Sequence, residues 1–501
     1  NGKSPDKLIE KMTNTLAHRG PDNAGIWCDD ISGVYLGHRR LSIIDLSDAG
    51  KQPMQSACGR YVITYNGEVY NFQDIKNKLE TEFKVSFKTH TDTEVILGDN
   101  VYNLKDFSKV HPGGGYILNI FGGKNATIHY FMIHNNHIKM RTNILDKYKL
   151  RKSTENDCEY LVNSDKFIEL KKRVNIAIPN PYATCEWYIK SFMIMSVIFY
   201  LEYHNIYCGF SIYKSVLMGY LMALVGLCIQ HDANHGAVSS RSYVNILWGF
   251  TQDWIGGSSL LWKHHHVLLH HAYTNIYDKD PDITTDVVRL HKSVKWYNIY
   301  KLQQIYIWPL LSLLPFNWHF KELLDLIYMK HMNERISSSA RYEAYIGIIL
   351  RIIFIIRFYA IPLYLYPSIY TILNILTTLT IGGLYLGINF IISHNFEGVK
   401  KIEKLKDNNG NSKIDWVISQ IETSSTVGGR ILGYFHGGLN YQIEHHLFPR
   451  ISHVHYYKIK PIVQEWCKEN NIKYNYYNNI YDNIMSCYKH LHNYGNCEKL
   501  L

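Results

Sequence analysis

The chain has 501 residues, with 53 Lys plus Arg against 43 Asp plus Glu, 26 His and 40 Tyr, a length that allows several domains and excludes a single small binding module. Its nine cysteines are scattered and never spaced C-x-x-C, which excludes a disulfide framework or thiolate zinc site and fits reduced thiols. The net charge of +10 comes from lysines spread through polar loops without a basic, aromatic-interleaved stripe, so the expected partner is a lipid bilayer with an anionic surface and not nucleic acid.

Residues 1 to about 95 read as a soluble α/β segment, with short apolar runs such as Tyr61-Val62-Ile63-Thr64-Tyr65 closed by Gly, Asn or Asp. The chain opens Asn1-Gly2-Lys3 with neither a secretory signal nor an initiator Met, so further sequence is expected upstream. A compact polar stretch follows from Val101 to about Asn136, built around His111-Pro112-Gly113-Gly114, and then a Lys- and Asn-rich linker. Apolar runs at about 190–209, 213–230, 344–366 and 369–392 approach the ~20 residues that a helix needs to cross a bilayer. Four crossings put both termini on one side. The basic segments at 170–173 and 400–405 make that side cytosolic. The Trp-bearing runs 246–261 and 306–320 are broken by Gly256-Gly257, Pro309 and Pro315 and are expected at the membrane surface.

Histidines gather at the polar ends of these runs: His231 and His235 in H-D-A-N-H, His266, His270 and His271 in H-V-L-L-H-H, and His445 and His446 in Q-I-E-H-H after Gln442, with His394 closing the fourth run. A lone histidine here is more often a hydrogen-bonded structural residue. Three groups at helical spacing point instead to metal, because imidazole is costly to bury without a partner. Ligand type alone does not choose among iron, copper, zinc and nickel. Eight candidates exceed the four of a closed zinc site and imply two metals with open positions. Two open irons beside a membrane suit oxygen activation at an unactivated C–H bond. Asp232, Asp280, Asp282 and Glu444 are candidates to orient the imidazoles, with ordinary surface charges as the equal alternative.

On these three boxes, residues from about 180 to 470 resemble the membrane fatty acid desaturase family, and Gln442 in place of a third-box His resembles its front-end subgroup. The resemblance implies a di-iron centre held by His231, His235, His266, His270, His271, His445 and His446, with His394 and Gln442 as further ligands and O2 as cosubstrate. His264, His265 and His436 match no ligand position and read as local polar residues or as supports for the ligands.

Val101-Tyr102-Asn103-Leu104-Lys105-Asp106-Phe107, His111-Pro112-Gly113-Gly114 and Gly123-Lys124-Asn125-Ala126-Thr127 resemble the heme-binding core of cytochrome b5. That likeness implies heme b between His111 and His134, with His129 and His137 as alternatives for the second ligand. Two imidazoles on heme iron make an electron carrier. The material before Val101 differs from that family's, so the domain is partial and its pocket is expected to lack a wall.

Residues 1 to about 97 resemble the glutamine amidotransferase domain of asparagine synthase, through His18-Arg19-Gly20-Pro21-Asp22, Leu36–Asp45, Tyr65–Asn71 and Thr91–Val95. By that likeness Arg40, Asn66, Gly67, Glu68 and Asp92 would hold glutamine. The family's nucleophile is an N-terminal Cys whose own amine serves as base. Residue 1 is Asn and Cys28 and Cys58 are internal, so glutaminase activity is not expected. Glu94-Val95-Ile96-Leu97 fits either segment, and a fusion or gene-model join is expected near it.

The expected architecture is multidomain: 1–97 truncated amidotransferase segment, 98–140 partial α+β cytochrome b5-like domain, 141–185 linker, 186–475 mainly α-helical integral membrane desaturase with about four transmembrane helices, and 476–501 tail. The expected function is a front-end fatty acid desaturase placing a cis double bond in the acyl chain of a fatty acyl-CoA or phospholipid, with electrons from cytochrome b5 reductase. The endoplasmic reticulum is the expected site, with the histidines facing the cytosol. A sphingolipid long-chain-base desaturase or lipid hydroxylase shares the same boxes. Glutamine-dependent amide transfer by the N-terminal piece is the reading from another class, and a nonenzymatic heme-binding membrane protein with vestigial boxes is a third.

Overall fold

The computed structural model describes residues 5–18, 20, 23–30, 32–40, 52–55, 61–65, 94–97, 100–108, 111, 118, 121, 125–134, 144–152, 164–277, 279–285, 287–331, 334–336, 340–402 and 414–497. In the N-terminal segment α1 (Pro5–Thr15) lies against an antiparallel hairpin of β1 (Asn23–Asp29) and β2 (Val34–Arg40). Arg40 closes β2, and Asn66, Gly67, Glu68 and Asp92 lie outside the described residues. The short strands β3 (Met54–Gln55) and β4 (Val62–Ile63) form a separate pair.

Glu94-Val95-Ile96-Leu97 forms β5 (Glu94–Leu97), which pairs antiparallel with β6 (Asn100–Asn103), placing Val95 opposite Tyr102. The third strand is β7 (Lys149–Lys152). This sheet, with the short helices α2 (Lys105–Ser108) and α3 (Thr127–Ile133), encloses a small core of Val95, Leu97, Tyr102, Leu104, Phe121 and Leu145. The ambiguous tetrapeptide is therefore an integral strand of the sheet that continues through residue 152.

The remainder is mostly helical, beginning with α4 (Ser164–Ala177), α5 (Cys185–Cys208), α6 (Ile212–Asn234) and α7 (Ser242–Gly249). It continues through α8 (Arg341–Leu365), α9 (Ile369–His394), α10 (Arg430–His436), α11 (Gln442–Leu447), α12 (Tyr456–Glu469) and α13 (Ile480–Asn496). Three of these, α6, α8 and α9, are long and apolar enough to cross a membrane. The expected count is about four. Helix α5 has 24 residues, but Glu186, Lys190, Glu202 and its tyrosines dilute its hydropathy. The Trp-bearing runs form short helices, Thr251–Trp254, Ser259–Trp262, Gln303–Leu311 and Leu314–Phe316.

Helices α6 and α9 touch along small residues, because a Cβ on Gly219 would stand 2.4 Å from the Thr378 carbonyl oxygen. Such seams let backbones approach where hydrophobic burial drives little association between helices. Close approach brings the last turn of α6 beside the end of α9. Beyond these ends α4, α11 and α12 build a second core around Phe167, Leu170, Trp416, Ile443, Tyr456 and Trp466. Gly437, at φ 61°, makes the turn that leads from α10 toward α11. A side chain there would strike the Leu227 carbonyl at 2.5 Å.

Candidate metal centre and heme pocket

His231 sits in the last turn of α6, His235 follows it, and His394 ends α9. His266 and His270 lie in a π-helical turn, Lys263–His270, and His271 begins the helix after it. The π geometry changes the expected pairing. In an α-helix, residues four apart share a face, whereas the wider π turn brings residues five apart together. Accordingly His266 and His271 approach at 3.2 Å between their Nε2 atoms, while His270 Nε2 lies 3.3 Å from His394 Nε2. The four-residue step expected for His266 and His270 thus divides them between two groups.

The first group is His231, His235, His266 and His445, whose candidate ligand atoms lie within 4.8 Å of one another, and the second is His270, His394 and His446. His271 joins the first through a 3.0 Å approach to His445 Nε2. Gln442 joins the second, its amide 2.9 Å from His394 Nε2 and 3.2 Å from His446 Nε2. On α11, Gln442 and His446 are four residues apart and share a face. His445 points to the other group.

Several imidazoles hold their outer nitrogen while the inner one faces the group. His394 Nδ1 donates to the Thr423 carbonyl at 3.0 Å, His446 Nδ1 donates to Gln420 Oε1 at 2.7 Å, and His445 Nδ1 lies 3.1 Å from the Tyr456 hydroxyl. His270 Nδ1 donates to Asp280 at 3.0 Å and is 3.1 Å from Asp282. Outer bonds of this kind fix the tautomer and turn the Nε2 lone pair inward. Burial pulls His235, His266, His271, His445 and His446 well below the ordinary imidazole range, which keeps them neutral. For His270 burial works the same way, but Asp280 and Asp282 outweigh it and raise the group to about 9. His231 Nε2 and His235 Nε2 are buried without a hydrogen-bond partner. Each such orphan costs about 1–3 kcal/mol, a cost that a bound metal removes. The donor set therefore fits two metal ions.

Of the four carboxylates expected to orient imidazoles, Asp280 and Asp282 touch His270. The other two hold side chains outside both histidine groups. Asp232 accepts from Ser452 Oγ at 2.6 Å and from His453 Nδ1 at 2.9 Å, and Glu444 accepts from Tyr474 at 2.6 Å and Thr426 at 2.8 Å. His265 pairs with Asp282 at 2.7 Å, His436 bonds Asn389, and His264 stays outside both groups. Sequence reasoning missed Tyr456, Gln420 and Thr423. None lies in a histidine box, and only their outer-nitrogen contacts identify them.

In the N-terminal sheet domain the His111 and His134 rings face one another with centroids 6.3 Å apart, among Leu97, Leu104, Phe107, Leu118, Phe121 and Ile133. That separation leaves room for one iron with a nitrogen at about 2 Å on each side. His134 Nδ1 donates to the Tyr130 carbonyl at 3.0 Å, leaving Nε2 toward the pocket. Burial lowers this group to about 3, with Arg450 adding to the effect. These residues fit heme. His129 instead places Nε2 2.8 Å from the Leu268 carbonyl, and His137 lies outside the described residues.

Comparison with known proteins agrees with this geometry. Residues 210–478 match the fatty acid desaturase family, residues 81–154 the cytochrome b5-like heme/steroid binding domain, and residues 1–112 the glutamine amidotransferase domain. The chain is 37% identical to an acyl-lipid (7-3)-desaturase of Rebecca salina over 80% of its own length and 90% of the relative's. It is 36% identical to an acyl-lipid (7-3)-desaturase of Diacronema lutheri with the same coverage. It is 28% identical to Delta(5) fatty acid desaturase A of Dictyostelium discoideum, over 81% of this chain and 92% of that one. The chain belongs to the fatty acid desaturase family: it is a front-end, oxygen-dependent membrane oxidoreductase with a di-iron centre, joined to a cytochrome b5-like heme domain and preceded by an amidotransferase fragment.

Proposed function

We propose that His231, His235, His266, His271 and His445 hold one iron and His270, His394, His446 and Gln442 the other. Together they would desaturate the acyl chain of a membrane lipid on the carboxyl side of an existing double bond. The observation that carries the assignment is the pair of buried groups of inward Nε2 atoms, with outer nitrogens anchored on protein. When bound, the irons with O2 supply the oxidising power to take two hydrogens from adjacent carbons; two electrons and two protons from outside complete the reduction of O2 to two waters. The protein's own groups do the rest. Asp280 and Asp282 hold the His270 proton on Nδ1. The Trp262 ring lies 4.4 Å from the His266 ring, and Trp262 lines a partly open, mainly apolar pocket between α6, α9 and the Trp-bearing helices. This pocket, walled by Met222, Gly226, Leu379, Gly382 and Leu386 with Gln230, Gln252, His319 and Glu322 at its polar part, would take part of an acyl chain.

The outward face of α5 exposes Ile189, Phe192, Met193 and Tyr200, which supports α5 as a fourth crossing despite its charges. Four crossings return both termini to the histidine side, the cytosol in an endoplasmic reticulum membrane, where cytochrome b5 reductase would deliver electrons. We assign residues 94–152 to the heme domain on its continuous sheet, and the desaturase to 186–475.

The test is expression in a yeast lacking polyunsaturates, fed candidate fatty acids. The expected product has one new cis bond, located by mass spectrometry, that His445→Ala abolishes. Hydroxylated product, or unsaturated long-chain base instead of acyl chain, would overturn the reading.

A further inference from the structure

Among the described residues, those of the sheet domain line one side of the pocket around His111 and His134, and those of the desaturase line another: Asn234, His235 and Gly236 after α6, Asn245 and Ile246 on α7, and Arg450. The two parts are also locked together. Ile128 and Met132 on the back of α3 belong to the core shared with Phe167, Trp416 and Phe448. His129 reaches the Leu268 carbonyl at 2.8 Å, and Lys171 on α4 donates to the carbonyls of Phe131 and of His134, the latter at 3.1 Å.

Within that wall Arg450 stands out. Its Nε lies 3.7 Å from where a Cβ on Gly236 would be, and its charge reaches His134. It has no ion pair and no hydrogen bond among the described residues. A guanidinium left unpaired at the rim of an apolar pocket calls for a carboxylate. Heme brings two.

On the reading that His111 and His134 hold heme, we infer that the heme site is composite: the desaturase domain supplies one wall, and Arg450 pairs a heme propionate. On this reading His235 would belong both to the wall of the heme pocket and to the first metal group.

The test uses the full chain in membranes, with Arg450→Gln, Arg450→Lys, Ile246→Asp and His111→Ala. Heme content and dissociation are followed by absorbance, the heme midpoint potential by redox titration, and non-heme iron by mass spectrometry as a check on folding. Arg450→Gln is expected to speed heme dissociation about tenfold and to lower the midpoint potential, since a cation near the heme favours the reduced form. Arg450→Lys restores part of both. Ile246→Asp is expected to weaken heme retention by a similar factor while non-heme iron stays unchanged. Parental heme dissociation and potential in both Arg450→Gln and Ile246→Asp would overturn the composite site while leaving the axial assignment intact. Retention of heme by His111→Ala would overturn both.

Discussion

Each imidazole in the metal centre has two nitrogens with separate work, and the outer one decides how well the inner one binds. His270 illustrates this most directly. Its Nδ1 proton is held by Asp280 and Asp282 at 3.0 and 3.1 Å. Asp280→Asn keeps the size but not the charge, and is expected to weaken iron binding about 10–100-fold, measured by metal titration of the purified protein. Tyr456→Phe removes only a hydroxyl beside His445 and should cost less by the same measurement. The ligand candidates at this scale were legible in sequence because helical spacing and box order mark them. The carboxylate and carbonyl partners were only half legible: Asp280, Asp282, Asp232 and Glu444 all stand near the boxes, and nothing in local sequence tells a carboxylate that faces a metal-group imidazole from one that holds other side chains.

At the scale of elements, spacing rules held where the helix was α and failed where it was π. His231 with His235, and Gln442 with His446, meet as residues four apart should. The turn Lys263–His270 breaks the rule and sends His266 and His270 to different groups. A π turn has no local sequence signature, since its cost is repaid only by the contacts that it makes possible. The seam between α6 and α9 shows the converse, because Gly219, Gly226 and Gly382 are visible in sequence while their purpose is not. A Cβ on Gly226 would come within 3.1 Å of Leu386 on the cavity wall. Gly226→Val is therefore expected to narrow the cavity and depress conversion of longer acyl chains more than shorter ones, as read by gas chromatography of products from mixed substrates. Gly219→Val should instead reduce the yield of folded protein, by about 1–3 kcal/mol of overpacking, since the obstacle at 2.4 Å is backbone.

For the whole molecule, the proposed four crossings predict that tags at the two ends face the same compartment. Protease treatment of sealed microsomes should remove both; protection of one alone would require an odd number of crossings. Removing the metals tests the same scale differently. Chelated protein should unfold at lower temperature than loaded protein, because the buried imidazoles lose the partner that offsets their desolvation, and ferrous iron should restore both melting temperature and activity.

The sequence by itself determined the metal-binding residue types, the apolar lengths and the three family likenesses, because each is written in short-range spacing and composition. Only the tertiary structure decided how the histidines divide between two groups and that desaturase residues line the pocket around His111 and His134. Those outcomes depend on side chains far apart in the chain meeting across packed helices, a distance over which no local pattern carries information.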